Sequence, residues 1–309
     1  MNPETARAIV EPVEPGYQVT DVITRTGGEV SAVYEIRGAG PARPLIVKFY
    51  APQWRHKLVK EVYVYRLLAR HGIRRIPRIL HAAPFGIPAL PLAYAVMTRL
   101  DGRPLVEVRD RLACVYRQMG RLLAAVHQIT LEDWGYLTTR VVDVKPTNTE
   151  YMVDLFTRKL DVFGTLGGDP AVARAIDRYV ARHADLFAAC GRPVLCHNDF
   201  HDGNVLVSGS EVTGFVDVEG AVAADPLLDL ARTDYYALRE PARRDAFLSG
   251  YGPLPPDWVD RVAIYQLHHA LELWNWAAST GKPADLSRAR TDLETITTGR
   301  PLRGCAALR

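Results

Sequence analysis

The chain has 309 residues, 48% hydrophobic and 24% charged, the make-up of a globular protein long enough for two domains or two lobes. Its 38 basic and 35 acidic side chains leave a formal charge of only +3, which argues against a nucleic acid or a membrane surface as partner. No two of the four cysteines stand in CxxC spacing and no apolar run approaches the roughly 18 residues of a membrane span, so zinc-ribbon, redox-motif and transmembrane readings fall away and a reduced, cytoplasmic setting is expected.

The N-terminal MNPETARAIVEPVEPG has three prolines, three glutamates and no apolar run, so no signal peptide is expected. Residues 19–26, 30–37 and 44–50 alternate or run apolar and are separated by glycine-bearing turns, which predicts an antiparallel meander. Gly27 and Gly28 form the first of those turns. Lys48 is one of only six lysines and stands alone inside the apolar run LIVKFY. Residues 55–71 carry a helical apolar face that includes Leu58, Val62, Tyr65 and Leu68, with Glu61 among them. Two more strands are predicted over 78–83 and 92–98. The polar strip TRLDGRPL, 98–105, reads as a hinge.

Beyond the hinge the period becomes helical. A long amphipathic helix is predicted over 107–130 and others over 150–163, 170–189 and 255–279, with a β-like VTGFVDV at 212–218. Strands first and helices after predict an α+β chain, with an N-terminal lobe over 1–100 and a helical C-terminal lobe over 101–309 that meet at a cleft.

Chemistry-bearing residues crowd one stretch, VLCHNDFHDGNVLV at 194–207. His197, His201, Asp199 and Asp202 have spacing that permits a transition-metal site, but no further cluster in the sequence supplies more ligands. His197, Asp199 and Asn204 spell HxDxxxxN, which resembles the catalytic loop of the protein-kinase-like fold. On that resemblance Asp199 orients an attacking hydroxyl and accepts its proton, Asn204 is a Mg²⁺ ligand, and His197 braces the loop. Asp217, thirteen residues after Asn204, matches the second metal-ligating aspartate. Lys48 then bridges nucleotide phosphates and Glu61 is its ion-pair partner.

The segments VMTRLDGRPL, LLAAVHQI, CHNDFHDGNVL and GFVDVEGAVAADPLLDLA resemble the aminoglycoside phosphotransferase family of small-molecule kinases, over about residues 15–280. The resemblance implies a two-lobed protein-kinase-like fold with a five-stranded antiparallel N-terminal lobe and a mainly helical C-terminal lobe. It implies ATP or GTP and Mg²⁺ as cofactors, and a small-molecule hydroxyl as acceptor, with an aminoglycoside-type antibiotic, and so a resistance role, as first choice. Sugar, choline-like, homoserine-like or macrolide acceptors are the alternative, and a non-catalytic pseudokinase is a third. The base would lie near Met97, Thr98 and Leu100, with the backbone of Gly27 and Gly28 over the phosphates. Asp225 and Asp229 would be structural. A polycationic acceptor needs carboxylates, and Asp202, Glu219, Asp234 and Glu272 are the candidates by position. The chain departs from protein kinases in lacking GxGxxG and an APE motif and in having Asn198 where those have arginine; Gly220 stands where some aminoglycoside-modifying members have arginine.

Overall fold

The computed structural model describes residues 1–25, 31–88, 90–110, 112–300 and 302; Gly27, Gly28 and Cys305 lie outside the described residues. The chain divides into two compact units. The first comprises Met1–Val108, Leu137–Arg140 and Gly203–Gly220, and the second Arg109–Tyr136, Val141–Asp202 and Ala221–Arg309.

In the first unit, β1 (Val19–Arg25), β2 (Ser31–Gly38), β3 (Leu45–Tyr50), β4 (Ile79–Ala83) and β5 (Ala93–Thr98) form one sheet of order β1-β2-β3-β5-β4, antiparallel throughout. The five strands are those expected, but β5 inserts between β3 and β4, leaving β4 at the edge. Lys48 pairs with Val33 on one side and Ala95 on the other, so the lysine stands mid-sheet. Helix α2 (Arg55–Arg70) buries Leu58, Val62, Tyr65 and Leu68, the predicted face. A helix the sequence reading missed, α1 (Pro3–Val10), is capped by Asn2, whose side chain accepts from Thr5 N at 2.8 Å, and has proline in its first turn. Eight residues hold a helix only with tertiary support; here Ala6, Ile9 and Val10 are fully buried against Ile36, Val47 and Phe49.

A three-stranded sheet completes this unit. β10 (Val205–Ser208) is flanked by β11 (Glu211–Phe215) and by the two-residue β6 (Arg103–Pro104). The strand expected to run to 218 stops at Phe215, because Asp217 takes φ +65°, a left-handed conformation that ends the ladder.

In the second unit, helix α3 (Ala113–Val126) is shorter than the 107–130 expected. Leu105–Glu107 forms a separate 3-10 turn after Pro104, and the helix opens at an extended Leu112. Two short strands the sequence reading missed, β7 (Trp134–Leu137) and β8 (Val141–Lys145), join β9 (Val194–Cys196) and β12 (Val222–Ala224) in a sheet of order β8-β7-β12-β9. Helix α4 (Asn148–Thr165) begins at a Thr147 cap and α5 (Pro170–Arg182) at Asp169-Pro170; the predicted 170–189 helix breaks at His183 into α5 and the single turn α6 (Asp185–Ala188). Helix α7 (Pro226–Ala237) starts at Asp225-Pro226. α8 (Pro241–Tyr251), α9 (Trp258–Thr280) and α10 (Pro283–Thr297) follow, with α9 buried on nearly every face. Helices α3 and α8 approach at backbone distance. A Cβ on Gly120 would sit 2.1 Å from Phe247 O, and one on Gly250 would sit 2.0 Å from Arg117 O. No helix among the described residues is long and apolar enough to cross a membrane.

Candidate active site

In the first unit the sequence candidates converge on Lys48. Its ammonium is 2.8 Å from Glu61 Oε2, 2.8 Å from Asp217 Oδ1 and 3.0 Å from Glu219 Oε2. Burial alone would lower the pKa of Lys48, but Glu61, then Asp217, outweigh it and hold the amine well above its ordinary range. Glu61 arrives from α2 and also accepts the Tyr50 hydroxyl. Glu219 lies against Lys48 and, at 2.8 Å, against Lys57; burial raises its carboxyl, yet the charges and hydrogen bonds of the two lysines bring it below the usual range. Asp217 is fixed in its left-handed backbone by a hydrogen bond from its N–H to the Tyr65 hydroxyl, 3.1 Å. Such strain in a non-glycine residue persists only where surrounding structure imposes it.

Asn204 reaches this group through the β10–β11 pair. Its carbonyl accepts Val216 N–H at 2.9 Å, one residue before Asp217. Lys48, Glu61, Asn204 and Asp217 line one cavity of about 330 Å³, with Val33, Ile46, Met97, Leu206 and Val216 as its apolar wall and Thr98 and Leu100 at its edge. Carboxylate oxygens of Glu61, Asp217 and Glu219 lie within 4.8 Å of one another. Three carboxylates face the ammonium groups of Lys48 and Lys57, and the buried Lys60, brought down to about 7 chiefly by burial, stands near enough to feel Glu219 and Lys57. Hard carboxylate oxygens with one carboxamide on the same cavity fit a Mg²⁺-type cation.

Glu35, which the sequence reading did not single out, is buried on β2 in the lining of this cavity and holds three guanidiniums, those of Arg25, Arg37 (2.8 Å) and Arg99 (3.0 Å). Burial pushes its carboxyl up, and the arginines more than reverse that, bringing it down to about 2. The signal in the sequence was an acid at the inward position of a strand, two residues after Val33 and two before Arg37.

In the second unit the loop 197–202 leaves β9 and is gripped by α7. Asp229 is fully buried and accepts the backbone N–H of His197 (2.6 Å) and of Asn198 (3.0 Å), while His127 Nε2 lies 3.2 Å from it. Asn198 is turned to φ +58° between these bonds, setting the direction of Asp199. His127 is a buried core histidine, its Nδ1 2.7 Å from the Tyr251 hydroxyl. His197 Nδ1 accepts from Asp199 N–H at 3.2 Å, so the ring braces the loop.

The Asp199 carboxylate meets Arg232, which donates from Nε (3.0 Å) and Nη2 (2.8 Å) to Oδ1; His201 lies 3.6 Å away. Burial would raise the Asp199 carboxyl, but the Arg232 charge and then the His201 hydrogen bond bring it far below the carboxylate range. Arg232 Nη1 also donates to Glu272 Oε2 at 3.0 Å, and Lys159 takes the other Glu272 oxygen at 2.8 Å. Of the remaining acceptor candidates, Asp202 is buried and accepts from Tyr116 at 3.1 Å. Asp234 is buried in a forked pair with Arg244 and also accepts from Gln266. His268 is pushed down to about 3, chiefly by burial, and is neutral. Trp274 packs in the core on Phe163, and Trp276 carries Lys282 over its ring at 4.0 Å. His197 and His201 belong to none of the potential metal-holding groups among the described residues.

Residues 22–263 match the model of the APH phosphotransferase enzyme family. Among solved structures, the chain is similar to a thermostable mutant of aminoglycoside phosphotransferase APH(4)-Ia in ternary complex with ADP and hygromycin B (17% identity, TM-score 0.73, 94% of this chain and 97% of that one). It is similar to a candidate fructosamine-3-kinase from Thermobifida fusca YX-ER1 (21%, TM-score 0.68, 93% and 98%). It also resembles the GDP and kanamycin complex of APH(2")-IIia (14%, TM-score 0.67, 95% and 98%). These likenesses establish the α+β, protein-kinase-like fold.

Proposed function

The chain belongs to the APH phosphotransferase enzyme family, and from that premise we propose that it moves the γ-phosphoryl group of ATP or GTP, with Mg²⁺, to a hydroxyl of a small molecule. The observation that carries this reading is the convergence of Lys48, Glu61, Asn204 and Asp217 on one cavity, in the element types that phosphoryl transfer requires. Lys48, oriented by Glu61, binds the phosphates. The base packs against Met97, Thr98 and Leu100. Asn204 and Asp217 would hold Mg²⁺, whose chemistry is to neutralise charge on the phosphate oxygens. Asp199 orients the acceptor hydroxyl. A carboxylate held so far below its ordinary range is a weak base, which suits a loose transition state that asks more for positioning than for early proton removal.

The ion pairing favours one acceptor class. A polycation needs carboxylates with charge left to give. Three of the four candidates are spent on cations, Glu219 on Lys48 and Lys57, Glu272 on Lys159 and Arg232, and Asp234 on Arg244, and the fourth, Asp202, keeps its charge but is buried against the Tyr116 hydroxyl. This supports a neutral or anionic hydroxyl compound, such as a sugar-type metabolite, over an aminoglycoside. The likeness to a candidate fructosamine-3-kinase is consistent with it.

The test is nucleotide consumption with Mg²⁺ and ATP or GTP against aminoglycosides, macrolides, choline, homoserine and sugars, with Asp199→Ala as control. We expect turnover on a sugar-type acceptor, abolished in Asp199→Ala while nucleotide binding stays near that of the native protein. Turnover on aminoglycosides alone would overturn the acceptor reading. Nucleotide binding with no transfer to any of these acceptors would move weight to a metabolite outside the panel or to the pseudokinase class.

A further inference from the structure

Helix α7 meets the catalytic loop twice. Asp229 takes the backbone N–H groups of His197 and Asn198, and Arg232, three residues on and so on the same helical face, takes the Asp199 side chain. We propose that Arg232 is the positioning residue of Asp199: a guanidinium that fixes the rotamer of the acceptor-orienting carboxylate and is itself fixed at its far end by Glu272.

Two donors of the planar guanidinium converge on one oxygen, Oδ1, at 3.0 and 2.8 Å, which fixes the position of that oxygen against Nε and Nη2. The third edge of the fork is spent on Glu272 Oε2 at 3.0 Å, and the guanidinium carbon stands 5.3 Å from the Tyr236 ring. Glu272 cannot swing away, because Lys159 on α4 holds its other oxygen at 2.8 Å. The chain Asp199–Arg232–Glu272–Lys159 thus ties the loop, α7, α9 and α4 into one alternating series of charges. The groups facing it are His201 on the loop, Tyr236 on α7, and His268 and His269 on α9, at 3.8 and 3.5 Å from Glu272. A purely structural pair would not need to end on the loop carboxylate; Asp234–Arg244 is such a pair and lies buried away from it.

This inference rests on the phosphotransferase reading for its kinetic arm and on geometry alone for its spectroscopic arm. In Arg232→Gln, kcat should fall about 100-fold, the cost of a carboxylate displaced by roughly an ångström, with KM for nucleotide unchanged. Arg232→Lys keeps the charge but not the fork, and should recover the acid limb of the pH profile while regaining only part of kcat. Carbon-13 NMR of aspartate-labelled protein, with Asp199 assigned from Asp199→Asn, should show a signal that does not titrate above about pH 4 in the native protein and does so in Arg232→Gln. Thermal melts establish that each variant is folded, and if Arg232→Gln is not, Arg232→Lys carries both readouts. Unchanged or increased kcat in Arg232→Gln, or an Asp199 signal indifferent to the substitution, overturns the proposal. A native protein that transfers phosphate to nothing defeats the phosphotransferase reading and leaves the NMR result to decide the role of Arg232.

Discussion

Glu35 is a buried carboxylate encircled by three arginines, two of them half exposed. Its folded pKa of about 2 lies below the roughly 4.3 of an unfolded glutamate. The group therefore adds stability that is complete above about pH 4.3 and is lost as pH falls toward 2. Discounted for solvent around Arg25 and Arg37, that contribution is about 1–2 kcal/mol. Glu35→Gln should lower the urea midpoint by that amount at neutral pH, and its unfolding curve should converge on the native one as the pH drops below about 4. Equal losses at both ends of the range would mean that packing, not charge, holds the site. The contrast with Lys48 explains what a sequence discloses at this scale. Lys48 is a cation inside an apolar strand, a conflict that draws the eye, and Glu61 is picked out only as its partner on the helix that follows, as the kinase-like pattern implies. Arg232 and Glu35 lie among many other charges, and only the folded chain distinguishes a spent guanidinium from a solvated one.

Helices α3 and α8 are joined by two reciprocal glycines, each opposing a carbonyl of the other helix. Alanine at either position would force a methyl within about 2 Å of backbone that has no rotamer to yield, so the helices must separate. Gly120→Ala and Gly250→Ala should each destabilise by about 1–3 kcal/mol, the range of overpacked cores, measured as a shift in urea midpoint. A stabilising effect, as propensity alone would give at an exposed helical site, would show that the helices are not in backbone contact. Sequence reading sees glycine in a helix only as a weak residue. The same blindness cost the short strands β7 and β8: β8 lies beside β7 alone, and β7 is held by β12, some eighty residues distant. The start of α5 was readable because its signal is local, Asp169-Pro170 followed by a helical apolar period; α1 carries a similar Asn2-Pro3 start but is only eight residues long and takes its support from strands it does not adjoin in sequence. The ends of α3 were overrun because apolar spacing continues past the backbone that supports it.

Membership of the first unit is not contiguous in sequence. Gly203–Gly220 joins it from beyond the hundredth residue, bound by Phe215 N–H to Arg75 O at 3.0 Å and Arg75 Nη1 to Val212 O at 2.9 Å. This segment supplies Asn204, Leu206, Val216 and Asp217 to the cavity. Residues 1–108 expressed alone should therefore fail to bind nucleotide and should lack a cooperative unfolding transition, by calorimetry and circular dichroism. A fragment that melts cooperatively and binds ATP would show that the later segment is dispensable. A turn of motif spacing made Asn204 and Asp217 legible together with Asp199, but nothing in HxDxxxxN says that the chain passes from one unit to the other between Asp202 and Gly203. That crossing has a consequence for inheritance. Recombination that exchanges a stretch of gene from the start to the hinge would deliver a sheet without its own second wall, matched to a stranger's residues 203–220. The first unit cannot travel as one continuous cassette, because residues 203–220 belong to it and lie beyond the exchanged stretch.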